Sequence, residues 1–393
     1  MKIKSLVIDG IGGIQHLDLS FIDGVNVICG ANGIGKTTIL DVIAHAFGSH
    51  QDSKLKRNAL YKEGKYNIGI EVCVDGECVE KFKEQKVDKF LPYDKAYSSG
   101  WRSYSKDLFY FGINRNIGYV KLNAVSSDPE RSEYESSRMA VTGIHVDDIK
   151  SWFINRYLFS DKEESLTKEQ IANYELAVKL FSVLDDKIKF STVLAKSLDI
   201  MLNTPKGEIY FEYLSSGYKS CIYIILGMIK EIEYRNSGAP ICAEDFDGIV
   251  LIDEIELHLH PIWQAQFVKA LKIIFPKAQF ILTTHSPSVL QALKKEEIIA
   301  LAYDEERKTF LKELNLGKYG LQGWTLEEIL KNIMDMPATT SKFYQDTLKK
   351  FDQAMNMEDR DQILQQYELL EEMLHPDNPL RKLLSIQVAE WEE

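Results

Sequence analysis

The residues best equipped for chemistry are Gly30, Ala31, Asn32, Gly33, Ile34, Gly35, Lys36, Thr37 and Thr38. Within them Gly30, Gly35, Lys36 and Thr37 keep the spacing G-x-x-x-x-G-K-[ST]. Glycines let successive backbone N–H groups curl around phosphate oxygens, Lys36 adds a point charge, and the Thr37 hydroxyl can ligate Mg²⁺. A phosphate loop needs a second metal-binding element, and "GIVLIDE" supplies it at Asp253 and Glu254. Asp253 is placed to hold Mg²⁺ through water, and Glu254 to polarise the water that attacks a γ-phosphate. Downstream, "ILTTHSP" puts His285 at the carboxyl end of a strand, the edge where open α/β sheets bind ligands. A third element, Ser215, Ser216 and Gly217, precedes a long apolar segment. A hydroxyl and free N–H groups then gather at a positive helix end, which suits phosphate.

These residues need a sheet to hold them. Val25 to Ile28 reads as a buried strand before the loop. Ile39, Leu40, Val42, Ile43 and Phe47 then recur at helical spacing, with Gly48 as a stop. The apolar runs ending in Asp253 and His285 read as strands buried on both faces, and the first should lie beside the phosphate-loop strand. Strand, helix and strand in that order imply a parallel sheet with a right-handed crossover. Further strands are expected at Asn67 to Val74, Glu77 to Phe82 and Leu108 to Phe111. The polar stretch 126–137 reads as an exposed loop, Val146 to Met201 as helical, and the last eighty residues as mostly amphipathic helix. Thr325 and Glu328 have capping-box spacing.

Of 393 residues 45% are hydrophobic and 27% charged, which predicts a sizeable core. No apolar run approaches a bilayer span, and "MKIKSLVIDG" lacks a signal-peptide core, so no membrane partner and a cytoplasmic location are expected. Five cysteines in mostly apolar settings suit reduced thiols. Asp75-Gly76 reads as a hairpin turn facing Cys73 to Cys78, predicted to be adjacent free thiols. The net charge of −12 disfavours nucleic acid overall, yet "KLKRNALYKEGK" sets Lys54, Lys56, Arg57, Lys62 and Lys65 against Glu63 alone.

Together these motifs resemble the ABC-type ATPases. Leu214-Ser215-Ser216-Gly217-Tyr218 is similar to that family's L-S-G-G-Q signature, with Ser216 and Tyr218 in place of Gly and Gln. The resemblance implies an ATP-hydrolysing head that dimerises around two ATPs, the signature of one subunit meeting the phosphate loop of another. By the same resemblance Lys36 and Thr37 bind phosphate and Mg²⁺, Asp253 binds metal, Glu254 is the general base, and His285 senses the γ-phosphate. Ser215 and Gly217 act across the dimer. The family's Q-loop glutamine is not evident. Asn114, Arg115 and Asn116 stand in its place, and Arg115 is expected to make a phosphate or relay contact.

The 178 residues from Lys36 to Leu214 are too long for a transporter ATPase and too short for the coiled coils of Rad50-like or SMC-like proteins. "IELHLHPIWQ" resembles the soluble branch that includes overcoming-lysogenisation-defect nucleases and RecF-like heads. Glu256, His258 and His260 within it read as interface or nucleotide-proximal groups rather than metal ligands. The tail shows no credible acid constellation or strand pattern to host a nuclease centre, and head and short helical tail together resemble the ATPase subunits of Septu-type defence systems, including those beside retrons. Expected partners are a second copy of the chain, with higher oligomers beyond it, a separate HNH-type nuclease, and DNA. A DNA-clamping repair ATPase of RecF or Rad50 kind is the alternative. The expected fold is α/β, an ABC-ATPase head with mixed β-sheet, helical insertion and C-terminal helical tail. Its expected parts are residues 1–140, the phosphate-loop lobe; 141–204, a helical insertion; 205–315, signature, acid pair and histidine; and 316–393, a helical partner-binding region.

Overall fold

A computed structural model of the chain describes all residues except 49–52, 75, 97–99, 116–117, 146–147, 183–184, 337 and 392–393. In chain order the strands are β1 (Lys2–Ile11), β2 (Ile14–Ser20), β3 (Val25–Gly30), β4 (Gly64–Val74), β5 (Glu77–Val87), β6 (Leu108–Phe111), β7 (Lys189–Leu194), β8 (Asp199–Thr204), β9 (Gly207–Tyr210), β10 (Ile249–Ile252), β11 (Gln279–Thr283), β12 (Ile298–Tyr303) and β13 (Thr309–Leu311). The helices are α1 (Lys36–Phe47), α2 (Glu133–Thr142), α3 (Ile149–Phe159), α4 (Lys168–Leu180), α5 (Ser216–Arg235), α6 (Pro261–Ile274), α7 (Pro287–Gln291), α8 (Leu326–Asn332), α9 (Lys342–Met357), α10 (Arg360–Met373) and α11 (Pro379–Val388).

The central sheet runs β13-β12-β3-β11-β10-β6, parallel throughout except at β13. The mixed sheet is therefore present, with one correction to its order. β10, which leads into Asp253, does not lie beside β3; β11 is inserted between them. The chain leaves β10 through α6 and returns on the side nearer the phosphate loop, so the two motifs meet across one intervening strand.

Alternate residues of these strands feed two cores. Val27, Cys29, Val250, Ile252, Phe280 and Leu282 pack with α5 and α6. Ile28, Ile249, Leu251 and Ile281 pack with α1 and with a second, antiparallel sheet, β2-β1-β4-β5. Both faces being buried is why the runs are continuously apolar. α1 is thus held between two sheets, which fixes the start of the helix where the phosphate loop ends.

Three further expectations change. The segment predicted helical to Met201 turns to strand at Lys189: β7, β8 and β9 form a third antiparallel sheet. β7 is buried only at Val193 and β8 is buried continuously from Asp199 to Leu202, so neither carries the period-2 pattern that would displace a helical reading. Half of the supposed loop 126–137 is the start of α2, where Ser132 and Glu135 form a reciprocal capping box. Cys73 and Cys78 are directly opposed across β4 and β5, and they are joined as a disulfide rather than left as free thiols.

The chain divides into two compact units, Met1–Asp335 and Met336–Glu393. Residues 316–335 were expected in the tail but belong to the first unit, because Leu316, Leu321, Ile329, Ile333 and Met334 enter the core of α5 and α6. The Thr325–Glu328 capping box opens α8 there. The second unit comprises α9, α10 and α11 around Phe351, Ala354, Ile363, Leu370, Leu384 and Val388.

Candidate nucleotide site

The loop between β3 and α1 owes its shape to glycine. Gly30, Gly33 and Gly35 have φ of 143°, 77° and 108°. A Cβ on Gly30 would collide with the Leu301 carbonyl, and one on Gly35 with Ile14. Gly35 caps α1 without any side-chain hydrogen bond, so the first-turn N–H groups remain available to an anion. Lys36 folds back, its Nζ donating to the carbonyls of Gly30 and Ala31 at 3.0 and 2.9 Å. Burial pushes this ammonium down to about 8, and Asp253, Glu254 and Glu256 oppose that shift. A phosphate in the loop would supply the counter-charge.

At the other side of the site Thr37 Oγ1 donates to Asp253 Oδ2 at 3.0 Å, although the residues lie 216 positions apart. Thr283 Oγ1 donates to Asp253 Oδ1 at 2.6 Å and accepts from the Glu254 amide at 2.7 Å. A hydroxyl and a carboxylate facing each other form an all-oxygen donor set, which fits a hard divalent cation such as Mg²⁺. Glu254 itself stands at φ 46°, in the left-handed region uncommon for a side chain with a Cβ. Thr283 holds that turn, and among the described residues the Glu254 carboxylate has no hydrogen-bond partner.

His285 follows β11, and burial lowers its pKa, with Lys36 adding to the effect. Its amide donates to the Glu256 carboxylate, which also accepts from Thr284 Oγ1 at 2.8 Å. Glu256 is therefore a clamp on the histidine turn. His260 caps α6 through Nδ1, and the His258 carbonyl lies where a Cβ on Gly217 would have to go. Among the described residues Glu256, His258 and His260 form no metal-binding group.

Ser215 is the N-cap of α5, accepting from the Tyr218 amide, and both Ser215 and Ser216 are exposed. Among the described residues no hydrogen bond joins Ser215, Ser216 or Gly217 to residues 30–38. Tyr218, in place of the usual Gln, turns inward: it is 1% exposed, donates to the Phe181 carbonyl and packs edge-on against Trp263. Arg115 does not point outward to a phosphate. Its guanidinium donates to the carbonyls of Gly112, Asp253 and Glu254, and burial lowers its pKa to about 10. Its Nη1 is buried with no hydrogen-bond partner among the described residues. Asn116 lies outside the described residues.

Sequence reasoning missed Thr283 and Asp41. Asp41 lines the same pocket as Thr37 and Asp253 and accepts from Tyr110 Oη at 3.1 Å, and burial raises its pKa to about 6. It stands four residues after Thr37 on α1, hence on the same face, a spacing that could have revealed it. Also unforeseen is the root of α5. Glu231 is fully buried there, pairing with Arg131 at 3.1 Å and Arg235 at 3.0 Å. Lys230 pairs with Asp148 and Glu231. Arg156 Nε and Trp152 Nε1 both donate to Glu233 at 2.8 Å. Closer to the signature, Lys150 bridges Asp199 and Glu212 at 2.6 and 2.8 Å.

The fold and site define a P-loop ATPase, an enzyme that binds and hydrolyses ATP. The chain matches a family model described as "AAA domain, putative AbiEii toxin, Type IV TA system" over residues 87–291, and "AAA ATPase domain" over residues 1–137. It is 44% identical to "Septu protein PtuA" of Bacillus thuringiensis across its whole length and 98% of that protein. The chain belongs to the Septu PtuA family. It is also 25% identical to "Retron Ec83 probable ATPase" of Escherichia coli, over 67% of this chain and 49% of that one. The SMC head domain from Thermotoga maritima aligns with 80% of this chain and all of its own, at TM-score 0.45 and 15% identity. Among the described residues no helix is long and apolar enough to cross a membrane.

Proposed function

We propose that this chain is the ATP-dependent subunit of an anti-phage defence complex, which closes as a head-to-head dimer around ATP and controls a separate HNH-type nuclease. The N–H groups of residues 33–38 and Lys36 bind the phosphates, with Gly30, Ala31 and Asn32 shaping the loop. Thr37 and Asp253 hold Mg²⁺, which when bound neutralises charge on the phosphates. Glu254 takes the proton of the attacking water, a task suited to its unpartnered carboxylate. His285, held by Glu256, meets the γ-phosphate. Arg115 carries the state of the Asp253–Glu254 turn to the segment after β6.

One observation carries the dimer. Ser215 and Ser216 present hydroxyls and a helix N-terminus to solvent, with Gly217 buried behind them, and among the described residues none of the three bonds to its own phosphate loop. A second copy supplies the phosphate they are built to meet. The defence role is supported by the names of the relatives, and the tail unit, Met336–Glu393, is the proposed docking region for the nuclease.

Glu254→Gln should keep ATP binding, slow hydrolysis by about 10²–10⁴-fold, and accumulate dimers with ATP. Ser215→Arg should bind ATP yet stay monomeric. The same ATP response in both variants by light scattering rules out the shared site. For the partner, a tagged nuclease encoded beside this chain should retain the full chain but not one ending at Asp335. Equal capture of both moves the contact into the head.

A further inference from the structure

The basic stretch 54–65 takes no part in the nucleotide site's proposed chemistry, yet it is built into a defined surface. Residues 53–62 lie against residues 88–96. Ser53 bridges Ala96, the Arg57 amide donates to the Lys89 carbonyl at 2.9 Å, and Lys56 Nζ reaches the Asp94 carbonyl. The Arg57 guanidinium sits 4.4 Å above the Phe90 ring and donates to the Tyr61 carbonyl at 2.7 Å. Arg57 thus spends its hydrogen bonds on fixing the two loops together.

What this joint leaves outside is unusual for a soluble surface. Leu60 is 82% exposed and Tyr93 78%, with Phe90, Leu91 and Tyr61 each open to solvent. On these loops and the strand ends that adjoin them are Lys62, Lys65, Lys86, Lys89 and Lys95, while Lys54 lines the pocket of Thr37 and Asp253. Acids answer some of them: Glu63 pairs with Lys86, Asp88 with Lys89 and Asp9 with Lys65, and Asp94 accepts from the Leu91 amide. Lys62 makes no ion pair among the described residues. In a chain of net charge −12, exposed rings framed by cations need an occupant that is anionic and has flat apolar faces. A protein acid patch would satisfy the lysines but not the rings. An apolar groove would satisfy the rings but waste the lysines.

We propose that the paired loops 53–62 and 88–96 bind single-stranded nucleic acid, its phosphates against the lysines and its unstacked bases on Tyr93 and Phe90. A duplex hides its base faces and can use only the lysines. The surface also adjoins the nucleotide site. The Gly12 amide donates to the Lys56 carbonyl at 2.9 Å, Asn58 Nδ2 donates to the Gly12 carbonyl at 2.8 Å, and the Thr38 methyl lies beneath Gly12.

The test is fluorescence anisotropy of the full chain with labelled oligothymidylate, oligouridylate and a duplex of equal length, without nucleotide. Leaving ATP out keeps the result independent of the ATPase reading. At least one single strand should bind about tenfold more tightly than the duplex, and which one does so identifies DNA or RNA as the source. Tyr93→Ala and Phe90→Ala should each weaken that binding by about tenfold. Lys62→Glu should weaken it and lower the salt slope by about one. Tyr93 is so exposed that its variant should fold and hydrolyse ATP as the parent does. Duplex binding as tight as single-strand binding overturns the proposal. So does a Tyr93→Ala protein with unchanged affinity.

Discussion

The nucleotide site and the root of α5 use the same residue types in opposite ways. At the phosphate loop, among the described residues, the Lys36 ammonium bonds only to backbone carbonyls and the Glu254 carboxylate has no hydrogen-bond partner, and three glycines hold a backbone that other residues resist. At the root of α5, Glu231 meets Arg131, Lys230 and Arg235, and Arg235 also donates to the carbonyls of Ser105 and Leu108. Among the described residues Lys36 and Glu254 have no ion-pair partner, whereas Glu231 has three, although Arg131 Nε and Arg235 Nη2 stay without a hydrogen bond. Burial alone does not mark a functional charge; the presence or absence of internal partners does.

The contrast yields predictions in descending size. Lys36→Ala should lower ATP affinity by at least a hundredfold while leaving thermal stability nearly intact, because Lys36 lacks a carboxylate partner to orphan. Calorimetric titration with ATP alongside a thermal melt checks both halves. Glu231→Ala should do the reverse, costing about 3–5 kcal/mol of stability by stranding buried cations. Urea denaturation measures it, and ATP affinity of the folded variant should hold.

A pH series sharpens the same point. Against the cost of burial, Lys230, Arg235 and Arg131 pull the Glu231 carboxyl down to about 2, from an ordinary value of 4.5. Its folded pKa is depressed, so its contribution is present above the unfolded value and lost as pH falls from about 4.5 towards 2. The stability gap between the parent and Glu231→Gln should therefore shrink over that window. A gap independent of pH would show that Glu231 does not titrate with folding. The smallest effect is at α8: Thr325→Ala removes one capping oxygen and should cost about 1 kcal/mol, read from the urea midpoint.

The legible parts of this molecule were the local ones. Glycine spacing around Lys36, the apolar run ending at Asp253 and the capping pair Thr325–Glu328 each state their geometry within a few residues. The position of β11 between β3 and β10 was not legible, because a crossover's landing place depends on the whole sheet. Nor was the root of α5, whose partners Arg131, Asp148 and Glu231 meet only after the insertion folds. The facing of Cys73 and Cys78 was legible, although Asp75 of the expected turn lies outside the described residues, but register does not declare whether two facing sulfurs bond. Tyr218 could be read as a departure from the signature, while its burial under Trp263 depended on a helix 45 residues away.

α5 ties several of these features together. It runs 20 residues without proline, about 30 Å at the usual helical rise. The exposed serines sit at one tip and the ion cluster at the other. In the proposed dimer, a tilt that the second copy imposed on Ser215 would reach Glu231 and Glu233 through this one continuous helix.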